Sequence, residues 1–509
     1  MKLLFCTVLL VSMAACQSAP PQRRALPLPP ASDIVARLKP EPLPTVPVLG
    51  AVPVSLPQSL ELDTLLRSVE THFPLVLAAL EEYEIARGRM QQAQGGFDTR
   101  LGSQGKLGLE GYYENERGDF SVDQPIESFG ATLSGGYRIG TGKFGAYDDD
   151  ARTDEGGEFR LGVLVPMLQG FSIDPRRVAL WQARIGEEQA EPIVTRKRLE
   201  ATRKAAETYW KWVGSGRKLA IARRQLDLAL GRQEQVRILV DEGQIAAINL
   251  VDNQRLIVER QAALVRAERG LQESAILLSL YWRGIAGEPQ VPADALLPSA
   301  FPEPRAPEDT LIKGDIALAL EQRPELRAID FERSQMELEL ALSENQMLPA
   351  FDLGMYASQD VGAQSGVVDD RGPFELQALF KFSLPLQRSR ARGKILELEA
   401  KLAKLAREKS WVGDVVASEV RDASSALEQS YRRLALAREN VMLALRLEDA
   451  ERVALDEGQS DLFRLNLREQ QTASAQASEV DSQGEYFKAL TDYRAVLGIA
   501  YDEVLPSTP

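Results

Sequence analysis

Thiols and imidazoles are nearly missing from this chain of 509 residues, which holds two cysteines, Cys6 and Cys16, and one histidine, His72. A single imidazole builds neither a His-rich metal site nor a Ser-His-Asp triad. His72, next to a helix-opening proline segment, reads as a helix-start surface residue. Cys6 falls in a stretch expected to be removed on export, so the mature chain keeps no pair of thiols for a disulfide or a Cys-based metal site. Aromatics are only 6% of the residues. No apolar run is long enough for a transmembrane helix and no phosphate-binding loop is present, so the sequence carries no energy-coupling machinery of its own. Nothing assembles a nucleophile, a base and oxyanion donors, so no enzyme activity and no cofactor are expected. A net charge of −14 argues against nucleic acid as a partner.

What is present begins at the N-terminus. Lys2 precedes an apolar stretch from Leu3 to Val11, and Met13-Ala14-Ala15-Cys16 follows, the pattern of an export signal. Small residues running into a cysteine resemble the lipobox of bacterial lipoproteins. By that resemblance, residues 1–15 are a signal peptide and Cys16 becomes the lipidated first residue. Gln17 after the cysteine suits transfer to the outer membrane. Eleven prolines between Pro20 and Pro57 forbid helix and favour extended chain, so residues 16–57 read as a tether.

The rest of the chain says one thing twice. Asp241-Glu242-Gly243-Gln244 recurs as Asp456-Glu457-Gly458-Gln459, each closing one helical stretch and opening another. Pro-led helices at Pro74 and Pro324 precede aromatic-acidic strand openings, Phe97-Asp98 and Phe351-Asp352. The spacing predicts a first repeat over 58–286, with strands at about 98–168 and a tip turn at 241–247. A Pro-rich linker over 287–310 follows, then a second repeat over 311–500, with strands at about 350–386 and a tip turn at 456–462, and a tail over 501–509. The two prolines lie 250 residues apart but the two turns only 215, so the first repeat holds 35 extra residues, all between Phe97 and Pro166. They are expected to extend the strands and their external loops, with Asp119 in such a loop.

Two periods run through each repeat. From Gln387 to Leu455 there is no proline, and Val416, Val420, Ala423, Leu427, Tyr431, Leu434, Val441 and Leu445 keep one stripe facing a neighbour. Such a helix reaches roughly 100 Å. Its counterpart runs from about Pro175 to Val240, with Pro192 as a kink. The strands alternate instead. Phe374, Leu376, Ala378, Phe380, Phe382 and Leu384 share one face against Glu375, Gln377, Lys381 and Ser383; Phe351, Leu353 and Met355 oppose Asp352 and Gly354. In the first repeat Leu107, Leu109 and Tyr113 oppose Lys106 and Glu110, and Phe159, Leu161, Val163 and Val165 oppose Glu158 and Arg160. A further alternating run lies at Phe129, Ala131, Leu133 and Tyr137. Apolar-out, polar-in strands of this length suit a membrane barrel, and a soluble sheet over a core alternates identically. So few strands cannot close a barrel in one chain, so their edges call for other copies of the protein. The crossings must also be even in number to keep the helices on one side.

Taken together, the repeat, the helix openings, the strand ends at Pro166 and Pro385 and the turns at Gly243 and Gly458 resemble the TolC-like outer membrane efflux proteins over residues 57 to 500. The resemblance implies a mainly α fold with membrane β: duplicated helix-hairpin-long helix-turn-helix halves, a trimeric 12-stranded β-barrel and a long α-helical periplasmic barrel. It implies an outer membrane channel component of a tripartite efflux or type I export system in a Gram-negative bacterium, working with a periplasmic adaptor protein and an inner-membrane pump and embedded in outer membrane lipid. The turns become periplasmic tips, with Gly243, Gln244, Gly458 and Gln459 as adaptor contacts. Family members often carry Asp-Val-Leu after the tip glycine, with the Asp six residues on. This sequence has Asn249 and Arg464 there, which leaves Asp241, Glu242, Asp252, Asp456, Glu457 and Asp461 as acidic candidates for the aperture. Each also has the plain reading of a solvated turn or helix cap. The competing class is a structural periplasm-spanning coiled-coil lipoprotein without transport activity, which has no need of apolar-faced strands.

Overall fold

The computed structural model describes residues 59–111, 113–144, 152–307, 312–363 and 373–499. Cys16, the proline tether and the tail lie outside the described residues, as does a short part of the linker.

Helices α1 (Leu62–His72) and α2 (Pro74–Gln94) lead into strands β1 (Arg100–Leu107), β2 (Asn115–Pro125), β3 (Thr132–Gly142) and β4 (Glu158–Pro166). Two helices follow, α3 (Pro175–Asp241) and α4 (Ile248–Leu278). The order then recurs with α5 (Ile312–Gln322), α6 (Pro324–Asn345), β5 (Ala350–Asp360), β6 (Phe374–Ser383), α7 (Ser389–Asp456) and α8 (Leu462–Val496). His72 closes α1 rather than opening a helix.

The two rods have 67 and 68 residues, which at 1.5 Å per residue makes each about 100 Å long. Pro175 opens α3 at a position where no backbone donor is needed, and the Asp174 side chain accepts from the backbone N–H groups of Arg176 and Arg177. Pro192 lies within the helix span. Along α7 the buried positions step by seven from Val420 through Leu427, Leu434 and Val441 to Glu448, the seam of a coiled coil with α8. Ala391, Leu398 and Leu405 keep the same step nearer the sheet, and the 11 residues from Leu405 to Val416 shift its phase. Tyr431 is only partly buried and Leu445 is exposed, so both lie off the seam.

Halfway along α3 the packing becomes three-dimensional. Trp210 stacks on Phe487 of α8 and on Phe301 of the linker, with ring centroids 4.5 and 5.8 Å away. Trp212 and Val213 are fully buried, as are Leu65 and Val69 of α1, in the same cluster. The linker is therefore built into the body: Arg305 is tied to the Tyr486 hydroxyl, which donates to the Arg305 carbonyl at 2.7 Å.

The six strands form one antiparallel sheet in sequence order, β4 joining β5 across the two repeats. Four strands per chain are expected from the sequence, and the described residues hold six. The 35 additional residues build a further hairpin rather than longer strands and loops, because the alternating run at Leu133 and Tyr137 finds backbone partners on both sides, β2 and β4. A twelve-stranded barrel from three copies does not fit this sheet. Asp119, expected in a loop, lies in β2 and pairs with Arg117 at 2.7 Å. Leu109 and Tyr113 fall beyond the end of β1.

Candidate functional site at the sheet face and the helix tips

Register sorts the sheet into two faces. On one, Leu101, Val122, Gly135, Leu161, Ala357 and Leu376 form a continuous cross-strand row, and Phe120, Tyr137 and Phe159 form another with Phe374 beyond Gln359. Toward the helices the same face carries Phe380, Phe351 and Phe382. Phe374 and Phe382 are eight residues apart, about 26 Å along a strand. Tilt brings that down to roughly 20 Å, close to the apolar band between the aromatic girdles of an outer-membrane barrel. Among the described residues nothing layers over these side chains: Phe380 is 75% exposed and Leu376 62%. A contiguous bare apolar face is not tolerated in water. The opposite face is polar, with Arg117, Asp119, Asp123, Ser134, Arg138, Glu158 and Ser358 among its members; Arg138 and Glu158 pair at 2.6 Å.

At the far end of the rods both turns share one geometry. Gly243 has φ +72 and donates to the Val240 carbonyl at 2.9 Å, while Gln244 N–H donates to Leu239 at 2.9 Å. Gly458 has φ +73 and donates to Leu455 at 3.0 Å, while Gln459 N–H donates to Ala454 at 2.7 Å. This is the Schellman ending, which satisfies the last carbonyls of a helix and requires a residue tolerant of positive φ. The matching DEGQ sequences are thereby explained by backbone chemistry.

The acidic candidates divide. Asp461 caps α8, accepting from Arg464 N–H at 2.9 Å, and Glu242 accepts from the Gln244 amide at 2.8 Å. Asp241, Asp252, Asp456 and Glu457 are exposed, and among the described residues none makes an ion pair. The structure places Asp241 with Glu242 on one turn and Asp456 with Glu457 on the other.

Behind the turns lies a polar lattice that composition did not flag. Arg232 of α3 forms a bidentate pair with Glu469 of α8 and bonds the Asn466 side chain; both charged groups are nearly buried. Arg260 of α4 is half-buried next to them, and burial lowers its pKa against the attraction of Glu469. Asn253 of α4 donates to Gln233 at 2.6 Å and to the Ala229 carbonyl at 3.3 Å. Within the second hairpin, Glu448 accepts from Arg452 at 2.8 Å, and Glu451 accepts from Ser460 and, at 3.4 Å, from Arg468. The signal was in the periodicity: Glu448 occupies a seam position of α7, and Glu469 sits between Leu465 and Thr472 on the buried stripe of α8.

No family model matches the sequence, and no curated protein matches it. Solved structures do match. A membrane protein from Pseudomonas aeruginosa superposes with a TM-score of 0.61 at 15% identity, over 87% of this chain and 92% of that one. The open state of the MtrE outer membrane channel of Neisseria gonorrhoeae gives 0.61 at 15% identity, over 86% and 89%. CusC, a protein studied for its folding and transmembrane channel formation, gives 0.61 at 12% identity, over 87% and 92%. This is the TolC-like outer membrane channel fold. Among the described residues no helix is long and apolar enough to cross a membrane.

Proposed function

We propose that this protein is the outer membrane channel component of a tripartite efflux or type I export system. Three copies, each lipid-anchored through Cys16, form a duct that passively conducts substrates handed over by a periplasmic adaptor and an inner-membrane pump. The observation that carries the reading is one chain joining a sheet with a bare apolar face to two helical hairpins whose longer arms reach about 100 Å. The sheet enters the outer membrane, the rods cross the periplasm, and the turns at Gly243 and Gly458 meet the adaptor, with Gln244 and Gln459 at the contact. Asp241, Glu242, Asp456 and Glu457 line the approach to the aperture as unpaired or lightly held carboxylates. Asp252 stands one turn into α4, and Asp461 is held by its capping role. A purely structural coiled-coil lipoprotein would gain nothing from a 75% exposed Phe380 in a row of exposed apolar residues.

The test is single-channel current from the purified protein in a planar bilayer. Discrete steps are expected, with size or cation preference changed by Asp241→Asn together with Asp456→Asn. Silence from protein shown to be inserted, together with unchanged toxin sensitivity of a deletion strain, overturns the reading in favour of the structural rod.

A further inference from the structure

The sheet is open. Its order runs from β1 to β6 without return, and every residue of β1 and of β6 is exposed, whereas β2 to β5 are flanked on both sides. In hydrocarbon an unpaired strand edge strands a row of backbone donors and acceptors, and only a closed barrel removes it. The six strands alternate in direction, so β1 and β6 run antiparallel to each other, which is the relation a β6-to-β1 seam between neighbouring copies needs. Their lengths, 8 and 10 residues, also suit each other. Across such a seam the apolar face continues, from Leu376 and Phe380 on β6 to Leu101 on β1.

The additional hairpin is built into the wall. At its helix-proximal end Phe129 stacks on Phe171 with centroids 5.4 Å apart, and Arg177, bound to Asp174, donates to the Gly170 and Phe171 carbonyls at 2.6 and 2.9 Å. Glu127 faces Arg184 of α3 at 3.7 Å. The β2–β3 turn is thus fastened to the start of the rod, and its strands pair along their full lengths.

We infer that each copy supplies six strands, joined β6 to β1, so that three copies close an eighteen-stranded barrel. The inference rests on the channel reading above. Strands about 4.8 Å apart and tilted by roughly 40° give such a barrel a backbone diameter of about 36 Å, against about 24 Å for twelve strands. At any level a copy offers the two rods and two shorter helices, α2 and α6 toward the sheet or α4 and α8 toward the tips, so three copies make a ring of twelve, and helices packed 9–10 Å apart give that ring a diameter of about 35–38 Å. The barrel therefore continues the helical tube without a taper, and its lumen lies in the range where porins keep an aqueous channel. The passage is narrowed elsewhere, and the exit admits cargo as wide as the tube delivers.

Disulfide trapping tests the seam in the full chain. Ala378→Cys is combined in turn with Leu101→Cys, Ser103→Cys and Gly105→Cys, all on the apolar face, and the single variants serve as blanks. One β1 position is expected to convert most of the protein to covalently closed trimer on a denaturing gel. Ala378→Cys with Gly135→Cys or Tyr137→Cys on β3 is expected to give none. Linkage to β3 instead of β1, or no linkage in protein shown to be trimeric, overturns the inference. Electron cryo-microscopy of the unsubstituted trimer in nanodiscs reads the same point as eighteen strands or twelve. A conducting trimer with twelve strands defeats the seam and leaves the channel; a β6–β1 linked trimer that never conducts does the reverse.

Discussion

Removing Arg232 exposes the logic of the lattice behind the tips. In Arg232→Met the Glu469 carboxylate keeps its nearly buried position between α3 and α8 and loses both charged hydrogen bonds. Breaking a buried pair from one side costs about 3–5 kcal/mol, because the remaining charge is uncompensated. Arg260 stands close enough to Glu469 to take up part of the deficit, which puts the expectation at the lower end, about 3 kcal/mol. At 1.4 kcal/mol per decade, that multiplies the opening equilibrium of the hairpin contact by about a hundred. Hydrogen exchange of peptides covering 225–241 and 462–472 reads it directly. The control is Arg237→Met, which breaks an exposed pair with Glu234 barely more than one helical turn away and should change exchange by less than about threefold. Arg232→Met combined with Glu469→Leu removes both charges and should recover most of the protection. The reasoning fails if Arg232→Met alone behaves like the Arg237→Met control.

Gly458→Ala meets open space, so its cost is the positive φ alone, about 1–2 kcal/mol; faster limited proteolysis at that turn measures it, and an unchanged rate argues against the Schellman account. Glu451 has its pKa held below the ordinary 4.5 first by the Ser460 hydroxyl and then by Arg468, so its contribution is present above pH 4.5 and is lost as pH falls through the lowered folded value. Proteolysis of the 456–462 turn should rise over that acid range, and Ser460→Ala should flatten the rise. Trp210→Ala should cost about 3–5 kcal/mol and lower the thermal transition of the assembled protein, a loss that Leu376→Ala on the bare sheet face should not reproduce. A cysteine at Glu110, between β1 and β2 at the end away from the helices, should be labelled on intact cells, whereas full protection there would favour the periplasmic rod.

Much of the helical architecture was legible because a seam on a long helix imposes a spacing that nothing else produces. The stripe from Val416 to Val441 and the bounds near Pro175 and Asp456 came straight from that spacing and from proline and glycine punctuation. The sheet was less legible. Alternation at Leu133 and Tyr137 marks a strand-like run, but glycine-rich strands such as β3, with Gly135, Gly136 and Gly140, carry too few side chains to declare their pairing, so the surplus reads as longer strands and loops where the structure has a further hairpin. Asp119 falls in a strand rather than the expected loop for a related reason: a charged residue on the polar face of a strand and one in a loop read alike until register is known. At the tips, the repeated tetrapeptide stood out while its chemistry was mostly turn geometry. The buried pair beside it was hidden, because Arg232 and Glu469 lie 237 residues apart in sequence.

The aromatic stack of Trp210, Phe301 and Phe487 gives the rods a fulcrum. From Trp210 to the end of α3 at Asp241 the helix extends about 45 Å beyond that fixed point. A rigid arm of that length turns one degree at the stack into about 0.8 Å at the tip. A few degrees of tilt at the buried tryptophan therefore correspond to several ångströms at the turns, so the position of the tips depends on the length of the helix beyond the stack.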